Sequence, residues 1–263
     1  MKENNFNFVL KTEKRSCPVQ IIVLSYNQWG VTNDFLDLLF TNTPLELFHL
    51  IMIDNGSSDE TPGMLKAKLG IYKNVTLLLH SENSGVIVGR NIGCSIALQQ
   101  KSFDYLMFLD NDQFVTSGWL DHHIVVLNRG YDVVGVEAWQ MNKSLLPSRK
   151  ISTLHESFNY VGCGGMIIRK KVIDTIGILD ERYNPAYFED PDFNWRASDA
   201  GFKIGWNMKA RIMHLGHQTL GVDQVEKQKL FFASWEKCRS KWSKRILPVF
   251  HQCFLEEFKG EKT

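Results

Sequence analysis

Apolar residues in the first half of the chain gather into short continuous runs, at 19–25, 47–53, 75–79 and 105–109. Runs of that length, rich in β-branched and aliphatic residues, predict strands buried on both faces. Between them, 33–40 carries Phe35, Leu36, Leu39 and Phe40 at helical spacing. Thr61 and Pro62 read as the N-cap and first position of a helix reaching about Leu69, and 86–98 predicts a third helix. Strands alternating with helices at this spacing imply βαβ units and a mainly parallel sheet.

After Asp112 the rhythm changes. Helices are expected at 118–127, 172–176 and 192–200, the last stopped by Gly201, and strands at 131–136, 166–168, 204–206 and 211–213. The stretch 146–156 is polar with little pattern, and Gly162-Cys163-Gly164-Gly165 reads as a flexible loop feeding a strand. From about Asp223 the chain is helical, with Phe231, Trp235, Cys238 and Trp242 in one apolar stripe. Lys237, Arg239, Lys241, Lys244 and Arg245 make its other side basic. Two readings stand for this tail: a helix docked on the domain with a solvated face, or a basic, Trp-bearing surface that touches anionic lipid or an acceptor.

A chain of 263 residues fits one large domain or a domain with an appendage, and 44% hydrophobic content supplies a real core. A net charge of +1 gives no field that would draw it to nucleic acid. The five cysteines are scattered without a C-x-x-C pair, which argues against a disulfide framework or a structural zinc site and suits a reducing cytoplasm. Residues 1–16 are polar and lack the apolar core of a signal peptide. No apolar run approaches the ~20 residues of a membrane-spanning helix. A cytoplasmic protein is expected, resting at most on the inner face of a membrane.

The candidate chemistry lies where strands end, because open α/β sheets bind ligands at the carboxyl edge. Ser25 and Tyr26 follow the first strand, and an aromatic there can stack on a nucleobase. Asp54 follows the second and can accept hydrogen bonds from a base or ribose, or serve an Asx-turn. Asn83 and Gly85 follow the third, with Arg90 on the next helix either offering a fork of donors to a phosphate or base carbonyl or standing as a surface arginine. Asp110-Asn111-Asp112 closes the fourth; it is good turn chemistry, and, since residues two apart on a strand point the same way, its carboxylates would also converge and suit a divalent cation holding a phosphate. Together these four loops fit a nucleoside diphosphate.

Further along, Pro191 suits a first helical position, which makes Asp190 an N-cap whose carboxyl should titrate low. Glu189 is its neighbouring acid, and His214 is either a structural histidine or a third metal ligand. His122-His123 reads as surface. Walker-type, dinucleotide-type and G-x-S-x-G signatures are absent.

The order of these motifs resembles family 2 glycosyltransferases: Ile22-Val23-Leu24-Ser25-Tyr26-Asn27, Ile53-Asp54-Asn55-Gly56-Ser57-Ser58-Asp59, Asn83-Ser84-Gly85 with Arg90-Asn91-Ile92-Gly93, and Asp110-Asn111-Asp112. The second half, with Gly165-Met166-Ile167-Ile168-Arg169-Lys170, Gly177-Ile178-Leu179-Asp180-Glu181 and Tyr187 through Arg196, is similar to the rhamnosyltransferase-like branch, and the likeness spans roughly 19–217. Many members of that branch carry Gly-Gly-Phe-Asp where this chain has Gly177-Ile178-Leu179-Asp180, which bears on the acceptor-side wall.

The resemblance implies an α/β fold of GT-A type: a Rossmann-like, mainly parallel central sheet flanked by helices, with a C-terminal helical tail. It implies inverting, metal-dependent transfer from a UDP-, dTDP- or GDP-linked sugar to a glycan, lipid-linked or protein acceptor. By position, Ser25, Tyr26, Asp54, Asn83 and Gly85 would hold the nucleotide, assisted by Arg90. Asp110 and Asn111 would lie on its ribose and metal side, and Asp112, with Asp110 and His214, would ligate Mn²⁺ or Mg²⁺. Asp190 would deprotonate the acceptor, with Glu189 beside it. The expected organisation is a transferase domain over 1–222, with a nucleotide half at about 17–115 and an acceptor half at about 116–222, followed by the tail 223–263. A catalytically silent nucleotide-sugar-binding module is the alternative, and a nucleotidyltransferase is disfavoured because Ser25-Tyr26-Asn27-Gln28 is not a glycine-rich, arginine-bearing loop.

Overall fold

A computed structural model describes residues 6–11, 17–100, 102–153, 155–216 and 223–251, the first of these segments by its backbone alone. The strands are β1 (Phe6–Lys11), β2 (Val19–Ser25), β3 (Phe48–Asp54), β4 (Val75–His80), β5 (Tyr105–Asp110), β6 (Gln113–Val115), β7 (Val133–Gly135), β8 (Ala138–Met141), β9 (Pro147–Lys150), β10 (Ser157–Phe158), β11 (Tyr160–Val161), β12 (Met166–Arg169), β13 (Ile204–Trp206), β14 (Ile212–His214) and β15 (Phe250–His251). The helices are α1 (Trp29–Asn42), α2 (Thr61–Leu69), α3 (Val86–Leu98), α4 (Trp119–Asn128), α5 (Lys170–Ile176), α6 (Glu189–Asp199) and α7 (Gln224–Trp242).

The central sheet runs β1-β4-β3-β2-β5-β12-β7-β13. Its middle, β4-β3-β2-β5, is parallel as expected, whereas β12 lies antiparallel between β5 and β7. Alternate side chains of each central strand enter opposite layers. Ile22, Ile51, Ile53, Leu106 and Phe108 join α3, α5, α6 and α7 on one face. Ile21, Val23, Leu50, Met52, Met107 and Leu109 join α1, α2 and α4 on the other. Burial on both sides explains the unbroken apolar runs. It also fixes register, since a one-residue slip would exchange the two layers. In that register Ser25 lies opposite Asp54 and Leu24 opposite Asp110, so the polar strand ends share one edge.

Helix α3 lies close against β2: a Cβ on Gly93 would come within 2.5 Å of the Ile22 side chain. Gly93→Val should therefore lower stability by about 1–3 kcal/mol through overpacking, read as a lower urea midpoint with an unchanged slope.

Two small sheets, β11-β8-β9 and β10-β15, and the ribbon β14-β6 flank the second half. Strand β9 lies in the segment that looked patternless. Helix α7 starts at Asp223, whose carboxylate caps it by accepting from the Glu226 N–H at 2.8 Å. Of its stripe, Cys238 and Trp242 are buried in the core. The Trp242 Nε1–H donates to Asp192 Oδ1 at 2.9 Å, and the Lys241 ammonium lies 2.6 Å from the same oxygen and 2.9 Å from Asp180. Lys241 and Arg245, the latter paired with Asp199, thus serve docking, whereas Lys237 and Lys244 stay exposed. No helix among the described residues is long and apolar enough to cross a membrane. His217, Cys253 and the side chains of residues 1–16 lie outside the described residues.

Candidate active site

The sheet edge carries the predicted loops side by side. After β2, Ser25 is buried and its hydroxyl lies 3.5 Å from Asp54 Oδ1. Asp54 also accepts from the Ser57 N–H at 3.1 Å, and burial raises its carboxyl above the usual range although the serines oppose this. Asn55 ties the third loop down: its amide donates to Asn83 Oδ1 at 3.1 Å and to the Gly85 carbonyl at 3.3 Å. Ser25, Tyr26, Asn83 and Gly85 line a cavity of about 350 Å³, closed on the far side by Asn184, Pro185 and Leu230. Gly85, at φ +85, sits where a Cβ would strike the Asn184 side chain.

Arg90 is not a surface arginine. Only 6% exposed, it lies 2.6 Å from Asp110 Oδ1 and 3.4 Å from Glu189 Oε1, with Phe108 beneath the guanidinium. It bridges the acid at the end of β5 to the acid at the start of α6. Asn111 is buried too, and its amide donates to the Thr32 hydroxyl on α1 at 2.8 Å.

Asp110, Asp112 and His214 converge, with one ligand atom from each all within 4.8 Å of one another. Strand β14 pairs antiparallel with β6, His214 opposite Gln113, which delivers the imidazole to the carboxylates. His214 Nε2 lies 3.3 Å from Asp112 Oδ1 and 3.9 Å from Asp110 Oδ2. Its other nitrogen lies 3.4 Å from Glu137, which is held in turn by Lys150 at 2.6 Å. The hydrogen bonds that the ring donates to Asp112, then to Glu137, push it up to about 10, so a cation taken on Nε2 would displace a proton. Carboxylate oxygens plus an imidazole whose far nitrogen meets a carboxylate form a donor set that fits a divalent cation. Sequence reasoning missed Glu137 and Lys150, because neither sits in a motif.

Asp190 departs from its expected place. Helix α6 begins at Glu189, so Asp190 is the second helical residue and not the cap; Phe188 precedes the helix in a left-handed conformation. Pro191 misleads because all first-turn positions lack an intrahelical acceptor, so proline costs no hydrogen bond there. The titration expectation reverses as well: burial raises the Asp190 carboxyl, although the Cys163 N–H, donating to Oδ1 at 2.8 Å, and Arg90 pull it down. Glu189, 6% exposed, is likewise raised by burial and then by Asp190, and its Oε2 has no hydrogen-bond partner. The turn that aims both acids is strained, with Tyr187 and Phe188 at φ 75 and 67. Such non-glycine conformations cost about 1–3 kcal/mol each and concentrate at functional sites.

The loop 162–165 closes the gap between these groups. A Cβ on Gly164 would fall 2.3 Å from Asp110 Oδ2, so only glycine leaves room for that oxygen.

His123, expected at the surface, is fully buried between the Trp119 carbonyl at 3.1 Å and that of Gly165 at 3.3 Å. Burial lowers it to about 4, as it does His49 beside Thr76. Burial thus biases both rings toward the neutral form at pH 7, although the two carbonyls pull His123 the other way. Below the ordinary value of 6.5 the unfolded chain takes up protons that the folded chain refuses until about 4. Stability therefore falls as pH drops through that window, on the order of 2 kcal/mol per ring by pH 4.5. Urea unfolding at pH 7 and 4.5 should register the loss, and His123→Gln should reduce the difference.

Comparison with known proteins bears on the family and the fold. The sequence model described as "Glycosyl transferase family 2" matches residues 20–178. The chain is 26% identical over 199 residues to "Glycosyltransferase AglE" of Haloferax volcanii, covering 71% of this chain and 63% of that protein. Among solved structures, GalNAc-T7 with UDP, GalNAc and Mn²⁺ superposes with a TM-score of 0.67 at 13% identity, covering 88% of this chain and 49% of that one. The mannosyltransferase PcManGT of Pyrobaculum calidifontis, with GDP-Man and Mn²⁺, gives 0.59 at 12% identity, covering 82% and 61%. The chain thus spans less than two thirds of the length of each of these proteins. The two structures share its fold, a GT-A fold.

Proposed function

The chain belongs to glycosyl transferase family 2, and from that premise we propose that it moves a sugar from a nucleotide-activated donor to an acceptor hydroxyl with inversion. The observation that carries this reading is the convergence of Asp110, Asp112 and His214 on the sheet edge that also bears the Tyr26 cavity.

In this reading Asp112 and His214, with Asp110, hold a divalent cation, and Glu137 fixes the imidazole that ligates it. Mixed oxygen and imidazole donors suit Mn²⁺ better than Mg²⁺, which prefers oxygen and water. The cation, when bound, acts as a Lewis acid that neutralises the departing diphosphate. Tyr26 stacks on the base, Ser25, Asn83 and Gly85 shape its cavity, and Asp54 accepts from base or ribose. Asn111 holds the β5 end on α1. Arg90 keeps Asp110 and Glu189 in fixed relation and is itself largely spent on them, so its contribution to the nucleotide is indirect.

Asp190 takes the acceptor proton. Its raised carboxyl is a stronger base than an N-cap would be, and the Cys163 N–H fixes its direction. Attack from the face opposite the diphosphate inverts the anomeric carbon. A silent binding module would have no use for a strained turn that aims a desolvated carboxylate.

The domain division belongs to the same proposal: 17–115 for the nucleotide, 116–222 for the acceptor, 223–263 as the tail. His214 is the one proposed ligand that crosses from the second half to the first. The nucleotides bound by the structural neighbours, UDP in one and GDP-Man in the other, support a nucleotide sugar without choosing the base. The test is release of nucleoside diphosphate from UDP-, dTDP- and GDP-linked sugars in Mn²⁺. One base should be favoured, and release from none would refute the reading.

A further inference from the structure

Beside the turn that bears Asp190, a recess of about 440 Å³ opens against the first two turns of α7. Tyr187, Gln224, Lys227, Gln228 and Phe231 line it. None of these residues belongs to the nucleotide cavity, the metal cluster or the glycine loop. Positions 224, 227, 228 and 231 share one helix face, so α7 presents its polar stripe to the recess. Tyr187 supplies the opposite wall, only three residues before Asp190.

The aromatic part of the wall is held rigidly. The Phe231 ring packs 5.1 Å from that of buried Phe188 and edge-on to Tyr187 at 5.6 Å. Among the described residues, the side chains of Gln224, Lys227 and Gln228 make no hydrogen bond or ion pair. Among the described residues the recess therefore offers two aromatic surfaces, two amides and one ammonium, with no carboxylate in its lining. Leu230, on the same helix, lines the nucleotide cavity instead.

Resting on the reading of Asp190 as the acceptor's base, we propose that this recess is a subsite for a saccharide unit of the acceptor. A sugar ring has apolar C–H faces and hydroxyl edges. The faces match Tyr187 and Phe231, and the hydroxyls match amides that both donate and accept. The volume lies within the range of small-molecule sites, and the mix of an aromatic wall with a few polar groups is theirs too. A lipid chain would leave three polar side chains desolvated without partners, which is costly. Occupancy here would set a second sugar beside the base, so the enzyme would extend a glycan in preference to a free monosaccharide.

The experiment is binding of the labelled full chain, with UDP and Mn²⁺ and then with GDP and Mn²⁺, to a printed array of glycans. Lys227→Ala and Gln228→Ala, singly and together, are compared with wild type. Alanine favours the helix at these outward positions, so the variants keep their fold. The proposal expects a subset of glycans to bind, and the double variant to lose at least about tenfold in affinity for them. Tyr187→Phe, which removes only the hydroxyl, should lose less. Binding of no glycan, or equal binding by the double variant, overturns the subsite. Thermal shifts by UDP or GDP with Mn²⁺ read the donor site separately: kept in the variants, they leave the transferase reading standing while the subsite fails.

Discussion

Asp190→Asn leaves nucleotide affinity within a factor of about two and removes turnover by about 10²–10⁴-fold, the usual worth of a positioned general base. The substitution is isosteric, and its amide oxygen can still accept from the Cys163 N–H that fixes the native carboxylate. What is lost is the capacity to take a proton from the attacking hydroxyl. Because the carboxyl is raised by burial, neutralising it relieves desolvation, so stability should be kept or rise slightly. Loss of activity together with loss of fold would point to a structural role instead. Glu189 is the rival base, and the two variants separate them. Glu189 is raised by burial in the same way, so Glu189→Gln should also keep stability, and the two variants are told apart by which of them loses turnover. Retained turnover in Asp190→Asn would move the base to Glu189.

Asp112→Asn is expected to lower Mn²⁺-dependent nucleotide affinity by about 100-fold, or about 2.7 kcal/mol, and to leave affinity in EDTA unchanged. Asp112 is 3% exposed and carries the oxygen nearest His214. Asparagine keeps the shape but removes the charge that a hard cation requires. Asp110→Asn would be harder to read, since Asp110 is also the 2.6 Å partner of buried Arg90, and its loss would mix stability with binding. Calorimetry of UDP and GDP, with Mn²⁺ and with EDTA, separates the two effects. Unchanged affinity in Mn²⁺ would remove Asp112 from the proposed metal set.

The parallel half of the sheet was legible because strands buried on both faces write long apolar runs, as Ile21 to Val23 and Leu50 to Ile53 do. Their abrupt ends at Ser25, Asp54 and Asp110 located the edge. Strand β1 is hard to read because the polar composition of 1–16 masks it and Val9 interrupts the alternation of Phe6, Phe8 and Leu10 with polar neighbours. His123 belonged to a readable stripe, Trp119, Leu120, His123, Val126 and Leu127, whose helical spacing marks a buried face. The start of α6 was misplaced because proline at a later first-turn position costs no more than at the first. Glu137 was not legible, because it reaches His214 only through the pairing of β14 with β6, strands of three residues each. Pairings that short leave no periodicity to read.

The most direct measurement of the central claim is thermal unfolding of the full chain with UDP-, dTDP- and GDP-linked sugars, each in Mn²⁺ and in EDTA. A ligand that binds the native state raises stability by mass action, about 2.7 kcal/mol at 100 times its dissociation constant. The account predicts a rise in melting temperature with sugars of one nucleobase, present in Mn²⁺, lost in EDTA and absent from Asp112→Asn. No stabilisation by any of the sugars, or an equal rise in EDTA, would contradict it.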